Sequence, residues 1–411
     1  MIKCSKSPDP DRAYGGEVKK EKECVMATVI LIIIYIAYIG LGIPDSLLGA
    51  SWPSIYRDFS VSESYASYIS LMISIGTILS GFCAGQLIRK MGTALLSSVS
   101  TAMTAAALLG FMLSPSVGWM FLFTLPLGFG AGGIDTALNN YVAMHYKPAH
   151  MNFLHFFYGL GVTATPYIVS LTLKLAGGWR GSYFVITVIQ MSVALLLFLS
   201  LPLWKKVGEK ENEENTQAVP GIWQIYRIPG VIPSCLLFIC SCSIEFVCGI
   251  WGATYLVEGV GLPPAEAAGK ITLYYIGITA SRLLSGIFAF RLSSRKILFL
   301  FTGIMGIGII LLFLPVPSIF SVAGLFLIGA GNGPVFPALL QLTPGKFGRE
   351  LSQSVMGAQL AGAYIGIAAA PFVFGLVAKV TGTWMFPVFL TALFLLFCGL
   401  LRTYNRGANE R

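Results

Sequence analysis

The chain has 411 residues, of which 55% are hydrophobic and only 11% are charged, and its mean hydropathy is +0.77. Soluble globular chains are about 45–50% apolar and about 25% charged, so this composition excludes an ordinary soluble domain and predicts a polytopic membrane protein. The formal net charge of +9 does not indicate a nucleic-acid partner, because the basic residues follow a membrane topology.

Twelve apolar runs are long enough to cross a bilayer, which takes about 20 residues. The runs are residues 26–50, 64–88, 93–113, 118–144, 150–175, 182–203, 230–257, 267–290, 296–314, 318–341, 352–377 and 383–401. The first run is longer than a signal-peptide core of roughly 7 to 15 residues, so we predict a retained helix. The predicted organisation is a tail at 1–25, a six-helix bundle at 26–203, a hydrophilic linker at 204–229, a second six-helix bundle at 230–401 and a tail at 402–411.

Lysine and arginine are unevenly distributed across this predicted topology. If both termini lie on one side, the loops on the opposite side contain only Arg57, Lys174, Arg180, Lys270 and Lys379. An excess of lysine and arginine marks cytoplasmic loops, so we expect both termini in the cytoplasm. The predicted surroundings are a lipid bilayer, with no nucleic acid.

The run at 118–144 combines small residues with an acid and amides. Gly128, Gly132, Asp135 and Asn139 recur at helical spacings of four, three and four, so one helix face presents them together. A buried acid in a membrane helix is costly and usually marks an ion or substrate path. We predict that Asp135 carries a coupling proton and that Asn139 and Asn140 contact substrate.

The same stretch recurs 201 residues later without its acid. Three glycines match at this offset, and Phe336 stands where Asp135 stood. Further matches along several runs occur at an offset of 205, among them Gly161 with Gly366. The matches predict two parallel six-helix repeats, an arrangement found in transporters with a substrate site near the midplane.

Asp45 and Glu245 are the other acids that fall inside apolar runs. Burial disfavours the charged form of a carboxylic acid, so both are further candidates for proton coupling. A helix cap or an interhelical hydrogen bond explains Asp45 equally well, since it follows Pro44 near a helix end. Glu245 precedes Trp251, whose flat face suits a sugar ring, and we predict that both contact substrate, although membrane tryptophans more often face lipid.

Polar residues elsewhere in the apolar runs are further candidates for substrate contact, and the weaker of them are Asn332 and Gln359. Asn152 and His155 begin a helical stripe that continues to Gly159, and a close helix–helix contact explains this stripe equally well. Asn332 and Gln359 are candidates for hydroxyl recognition in the second repeat.

Arg282 also lies inside an apolar run. Its guanidinium does not lose its proton in proteins, so it needs a counter-charge, carbonyl groups or a route to water. We expect it to reach the cytoplasmic end of its helix or to form an ion pair between the two halves.

Enzyme motifs are missing from the sequence. It contains no H-E-x-x-H, no G-x-x-x-x-G-K-[ST] and no G-x-S-x-G. We therefore expect no enzyme activity, cofactor or catalytic metal, and any uphill transport must use an ion or solute gradient. The eight cysteines lack metal-ligand spacing and are expected to be small apolar fillers.

Four stretches together resemble the fucose permease-like branch of the major facilitator superfamily. They are residues 42–53, the helix bearing Asp135, residues 152–161 and residues 245–255. The resemblance implies a sugar transporter of the plasma (inner) membrane, driven by proton symport through Asp45 in the first helix and Asp135 in the fourth. We expect it to act as a monomer. The fourth-helix acid of fucose permease is a glutamate, so Asp135 is one methylene shorter.

The loop after the second helix departs from the superfamily pattern G-x-L-A-D-R-x-G. The sequence here runs from Gly85 to Gly92, with Arg89 in place of the aspartate and Lys90 after it. We expect Arg89, Lys90 and Arg282 to act in gating or in contacts between the halves.

These observations favour a secondary transporter that takes up a sugar or similar polyhydroxylated solute with protons. A proton antiporter that exports a drug or metabolite is the alternative, since the 28 phenylalanines suit an apolar ligand. A membrane receptor that does not transport is the more distant alternative.

Overall fold

The structure, a computed structural model, describes residues 13–146, 148–175, 177–207, 222–289, 291–314 and 318–406. The predicted tails and linker lie partly outside the described residues, at 1–12, 208–221 and 407–411. The rest of the predicted first tail is helical, because the first helix begins at Ala13.

The described residues form thirteen helices and two short helical turns. The helices are α1 (Ala13–Asp58), α2 (Tyr65–Leu113), α3 (Val117–His145), α4 (Pro148–Lys174), α5 (Gly178–Val207), α6 (Ile222–Tyr226), α7 (Val231–Thr254), α8 (Pro264–Phe288), α9 (Ser294–Leu311), α10 (Ile319–Asn332), α11 (Val335–Phe347), α12 (Arg349–Thr381) and α13 (Phe386–Arg406). A π-helical turn, Tyr255–Gly259, extends α7, and a 3₁₀ turn, Thr383–Met385, precedes α13.

Among the described residues, 11 helical stretches are long and apolar enough to cross a membrane. One of them, Tyr65–Leu113, is two helices joined end to end, because Gly92 has φ 75° and ψ 159°, a conformation that glycine adopts without steric cost. Counting these two separately gives twelve spans and confirms the predicted all-α fold. Helices α10 and α11 together form one span, Ile319–Phe347.

The two repeats make the same helix contacts with corresponding residues. A Cβ placed on Gly76 of α2 would lie 2.7 Å from the carbonyl oxygen of Leu125, and a Cβ on Gly277 of α8 would lie 2.5 Å from that of Phe326. Both glycines and both partners are separated by 201 residues. The same offset relates the contact of Gly132 with Thr77 to that of Gly333 with Ile278, and that of Gly130 with Thr104 to that of Gly331 with Met305.

Replacing Gly277 with valine should destabilise the protein, because backbone atoms of α10 occupy the space that a side chain needs. Overpacking of this kind costs about 1–3 kcal/mol. Gly286 on the same helix has nothing within 4 Å of its added Cβ, so Gly286→Val is the matched control. Thermal unfolding in detergent should show a lower Tm for Gly277→Val only, and equal Tm values would contradict the close packing of α8 on α10.

The described residues fall into two compact units, which do not coincide with the two repeats. The first unit comprises the described residues of Met1–Asp45, Ile75–Gly161 and Tyr183–Glu214. The second comprises those of Ser46–Ser74, Val162–Ser182 and Asn215–Arg411. The division into two bundles around residues 204–229 remains a prediction, and of that linker Ile222–Tyr226 is helical and Trp204 is buried.

Within the second unit, segments 46–74 and 162–182 of the first repeat pack against the second repeat; we call this the inter-repeat contact. At Gly49 of α1, an added Cβ would overlap the carbonyl oxygen of Gly249 on α7. Since a side chain does not fit in this space, a pair of small residues allows the two backbones to approach closely.

Hydrogen bonds and an ion pair surround this glycine pair. They are Trp251 Nε1 to Ser67 Oγ (3.0 Å), Ser67 Oγ to the Pro371 carbonyl (2.6 Å), Ser170 Oγ to the Ala265 carbonyl (2.7 Å), the pair of Thr163 and Thr279 hydroxyls (3.1 Å), and the Arg57–Glu258 ion pair (2.7 Å). The inter-repeat contact therefore combines close backbone packing with polar bonds that must break if it opens.

Candidate functional site

The Asp135 carboxylate lies deep in a membrane-spanning helix and is held by neutral donors. It is ten residues from the end of α3 at His145, which is about 15 Å along a helix. The hydroxyl of Tyr38 donates to Asp135 Oδ1 at 3.1 Å and to the Asp135 carbonyl oxygen at 3.2 Å. Asn139, one turn later on α3, donates from Nδ2 to the same Oδ1 at 2.9 Å.

The packing around Tyr38 fixes this arrangement. Tyr38 is fully buried in the core of the first unit, which also contains Ile134 and Leu138 from α3. Asp135 itself is partly exposed. Among the described residues no cation forms an ion pair with Asp135, so protonation of this carboxylate leaves no buried positive charge without its partner.

A second acid–tyrosine pair lies in the first unit. The hydroxyl of Tyr158 on α4 donates to Asp45 Oδ2, and Asp45 is exposed although it lies well inside the span Val25–Asp58. Near the first pair, the ring of His155 meets Tyr38 edge-on at a centroid distance of 6.3 Å. The structure therefore places three predicted residues, Asp45, Asp135 and His155, beside tyrosines of the first unit.

The second unit contains an ion pair within its membrane-spanning helices. Arg282 Nη2 on α8 donates to Glu245 Oε1 at 2.9 Å and to Oε2 at 3.3 Å. Asn332 at the end of α10 donates from Nδ2 to Glu245 Oε2 at 3.2 Å. This corrects our expectation for Arg282, whose counter-charge lies in its own repeat and not across the two halves.

The break between α10 and α11 explains how Arg282 is positioned. Its Nε donates to the Gly333 carbonyl oxygen at 3.2 Å. In a continuous helix that oxygen accepts from the N–H four residues later, but residue 337 is a proline and has no N–H. Pro337 therefore leaves a carbonyl group that the guanidinium satisfies.

Glu245 is also fixed by side chains on α7, α8 and α10. Ser241 donates from Oγ to Asn332 Oδ1 at 2.9 Å, and Asn332 donates back to the Ser241 carbonyl oxygen at 3.2 Å. The hydroxyl of Tyr274 donates to the Glu245 carbonyl oxygen at 2.9 Å. Asn332 is fully buried, so it orients Glu245 and has no exposed surface for substrate in this conformation.

Two predicted substrate residues lie elsewhere in the second unit. Trp251 is only 1% exposed; its ring packs on Phe374 and its N–H joins the inter-repeat contact, so its face is not available to a sugar in this conformation. Gln359 is fully buried, accepts from Thr343 at 3.0 Å and donates to Ser234. Both residues have structural partners that the prediction of substrate contact did not foresee.

For the remaining predicted site residues, the described part of the structure shows no partner that bears on their predicted roles. Asn140 is exposed on α3, and Arg89 and Lys90 are exposed on α2. The side chain of Asn152 lies outside the described part of the structure. Their roles in substrate contact and gating stay predictions.

Sequence reasoning missed the tyrosines that contact the acids. Tyr38 and Tyr158 lie in apolar runs, where a tyrosine resembles a core residue. A signal was present, since Tyr38 precedes Asp45 by seven residues, which places both on one helix face. Tyr158 follows His155 by three residues and could have joined the stripe predicted there.

In the part of the chain that the structure describes, twelve apolar spans in two matching repeats, with acids and an ion pair inside them, are typical of a membrane transporter. The family model described as Major Facilitator Superfamily matches residues 34–371, with a second match at 235–408, and the chain belongs to this family. It is therefore a multi-pass transporter and not an enzyme. The fucose permease-like branch remains a resemblance.

Several known proteins are similar along most of the chain. Bypass of stop codon protein 6 of Saccharomyces cerevisiae is 22% identical over 94% of this chain and 84% of its own length. Two Bacillus subtilis proteins follow: the Glucose/mannose transporter GlcP, 22% identical over 75% of this chain and 78% of its own, and the Nitrite extrusion protein, 25% identical over 69% and 71%. The solved nucleoside transporter NupG has the same fold, with a TM-score of 0.73 at 13% identity over 90% of this chain and 98% of its own.

Proposed function

We propose that this transporter takes up a sugar or similar polyhydroxylated solute together with protons, by alternating access. The observation that carries the proposal is the setting of Asp135, a deep carboxylate bound only by the neutral donors Tyr38 and Asn139 among the described residues. Such a group can lose or gain a proton as access changes from one side to the other, because neither state breaks an ion pair.

The two repeats take different roles in this proposal. Asp135 carries the proton, and Asp45 with Tyr158 assists it. Glu245 is bound to Arg282, and a paired carboxylate releases or takes up a proton only at the cost of an uncompensated charge. We therefore assign Glu245 to substrate binding and no longer to proton transfer. The similarity to GlcP, a glucose/mannose transporter by name, supports the choice of a sugar.

The proposal includes an orientation. The distribution of lysine and arginine favours cytoplasmic termini, in the plasma membrane, with the monomer as the working unit. In that orientation the inter-repeat contact lies on the outer side, so the outer entrance is closed. Attaching a polar reporter to either terminus and measuring its protection in intact cells tests this topology, and reporters accessible from outside would overturn it.

The direct test is uptake of a hexose panel into sealed vesicles that contain the purified chain. We expect at least one neutral hexose to accumulate when an inward proton gradient is imposed and only to equilibrate without it. Addition of that sugar should also draw protons out of the medium. Each pH unit of gradient is worth about 1.4 kcal/mol per proton, so coupling to one proton gives about tenfold accumulation.

Export with proton exchange is the second candidate, favoured by the similarity to the Nitrite extrusion protein. The same assay separates the two functions, because an antiporter releases protons into the medium when its substrate enters. Proton release, or no movement of any hexose, would contradict sugar symport.

A further inference from the structure

The Arg282–Glu245 ion pair is fixed but reachable. The side chain of Arg282 is 25% exposed and that of Glu245 is 20% exposed, whereas their supporting residue Asn332 is fully buried. Among the described residues, Nη1 of Arg282 has no hydrogen-bond acceptor, although Nε and Nη2 are both used. One edge of the pair is therefore not covered by other atoms in the described part of the protein.

This edge carries donors and acceptors side by side. The guanidinium offers N–H groups, and the carboxylate offers lone pairs beyond those that accept from Arg282 and Asn332. A hydroxyl group both donates and accepts, so two neighbouring hydroxyls match an arginine and a carboxylate held next to each other. Because Gly333 and Asn332 already orient the pair, little ordering remains to be done when substrate binds.

The pair also has a definite charge balance. An unpaired arginine at this depth attracts anions strongly and forms bidentate bonds with carboxylates. Glu245 cancels that charge and occupies the Nη2 donor. An anionic ligand that approaches Arg282 also meets the negative charge of Glu245.

We propose that the Arg282–Glu245 pair is a specificity filter, which binds neighbouring hydroxyls of a neutral polyol and excludes anionic analogues of the same molecule. The inference rests on the proposed function for its substrate class, but it is independent of proton coupling. It makes Arg282 a substrate contact and gives Glu245 a second task, which is to keep the site neutral.

The test compares each hexose with its uronate, in which a carboxylate replaces the terminal CH₂OH group. Binding to the full-length protein in detergent is measured by calorimetry at pH 7 and low salt, with no proton gradient. The native chain should bind the hexose at least tenfold more tightly than its uronate. In Glu245→Gln, the hexose-to-uronate affinity ratio should fall at least tenfold, because Arg282 is left without its counter-charge.

Two further variants test whether the change in the affinity ratio comes from the lost charge of Glu245. Glu266→Gln, the same change at an exposed position of α8, is the matched control and should keep the native ratio. The double variant Glu245→Gln/Arg282→Gln keeps the site neutral, so it should not gain affinity for the uronate. It should bind hexose more weakly, because the guanidinium and the carboxylate are both gone. It also serves if Glu245→Gln alone does not fold.

Three results would overturn the filter. They are a native preference for the uronate, an unchanged ratio in Glu245→Gln, and native discrimination retained in the double variant. If the native chain binds hexoses but the ratio does not move, only this inference fails. If it binds none of them, the sugar class of the proposed function fails and the filter fails with it.

Discussion

Replacing Asp135 with asparagine is expected to abolish accumulation of substrate against its gradient while sparing exchange. The amide keeps the shape of the carboxyl group and can still accept from Tyr38 and Asn139, which both donate to Oδ1. It cannot take up a proton, so movement of the substrate is no longer linked to movement of a proton. In vesicles with an inward gradient of one pH unit, the accumulation ratio should fall from about 10 to about 1.

The uptake rate should also depend on external pH in the native chain but not in Asp135→Asn. If the proton that drives uptake is carried by Asp135, the native uptake rate should fall as the external pH rises and the carboxyl group loses its proton. Asp135→Asn is permanently neutral and should show a flat profile over the same range. Exchange of labelled for unlabelled substrate should persist in the variant, because exchange needs no net proton movement.

A matched control separates the effect of this site from a general effect of losing an acid. Asp58 lies at the end of α1 and forms an ion pair with Arg180 at 2.7 Å, with both side chains close to half exposed. Exposed pairs of this kind contribute about 0–1 kcal/mol, so Asp58→Asn should accumulate substrate as the native chain does. Gradient-driven accumulation in Asp135→Asn at the native level would remove Asp135 from the coupling role.

The helix contacts of the fold were predictable because glycine spacing records them directly. Small residues let two backbones approach closely, so a repeated glycine favours a repeated contact, although Gly81 and Gly286, 205 residues apart, have no atom within 4 Å of an added Cβ. Gly128 and Gly329 matched in sequence, and the contacts of Gly76 and Gly277 show that the match is structural.

The partners of the charged residues could not be predicted in the same way. Asp135 was identified as a candidate because burying an acid in an apolar run costs free energy. Its partner Tyr38 lies 97 residues away in sequence and differs little from a core tyrosine. Glu245 and Arg282 were found separately, and nothing in a single sequence indicates that α7 and α8 bring them within 2.9 Å. Which side chain satisfies a group depends on the packing of helices that are distant in the chain.

Trp251 shows why residue type is a weak guide to a binding role. Its flat ring suggested a sugar contact, but the ring is buried and its N–H bonds to Ser67 of the first repeat. Under the proposed alternating access, the inter-repeat contact belongs to one conformation of the protein. A sequence gives no direct record of where two repeats touch in a particular state.

A leucine at Gly49 is expected to disfavour closure of the inter-repeat contact and to reduce net uptake. An added Cβ at Gly49 overlaps the Gly249 carbonyl oxygen and lies 3.0 Å from the Cα of Ile250. These are backbone atoms of α7, so they cannot move aside without moving the helix. Overpacking costs about 1–3 kcal/mol, and each 1.4 kcal/mol or so changes the ratio of closed to open states about tenfold.

Accessibility of Thr163 from the outside measures the state of this contact. The Thr163 hydroxyl lies 3.1 Å from that of Thr279 across the inter-repeat contact. In a Cys83→Ser background, which removes an exposed thiol, Thr163→Cys should react slowly with a membrane-impermeant thiol reagent. Adding Gly49→Leu should raise the labelling rate at least tenfold and reduce uptake by a similar factor.

The control for this change is a leucine at a glycine that touches nothing. Gly81 on α2 has no atom within 4 Å of an added Cβ, so Gly81→Leu should leave both the labelling rate and uptake near native values. The hydrogen bond from Trp251 to Ser67 belongs to the same inter-repeat contact, so loss of closure at Gly49 should break this bond too. Native uptake with a protected Thr163→Cys in Gly49→Leu would show that closure at this glycine pair is not needed for transport.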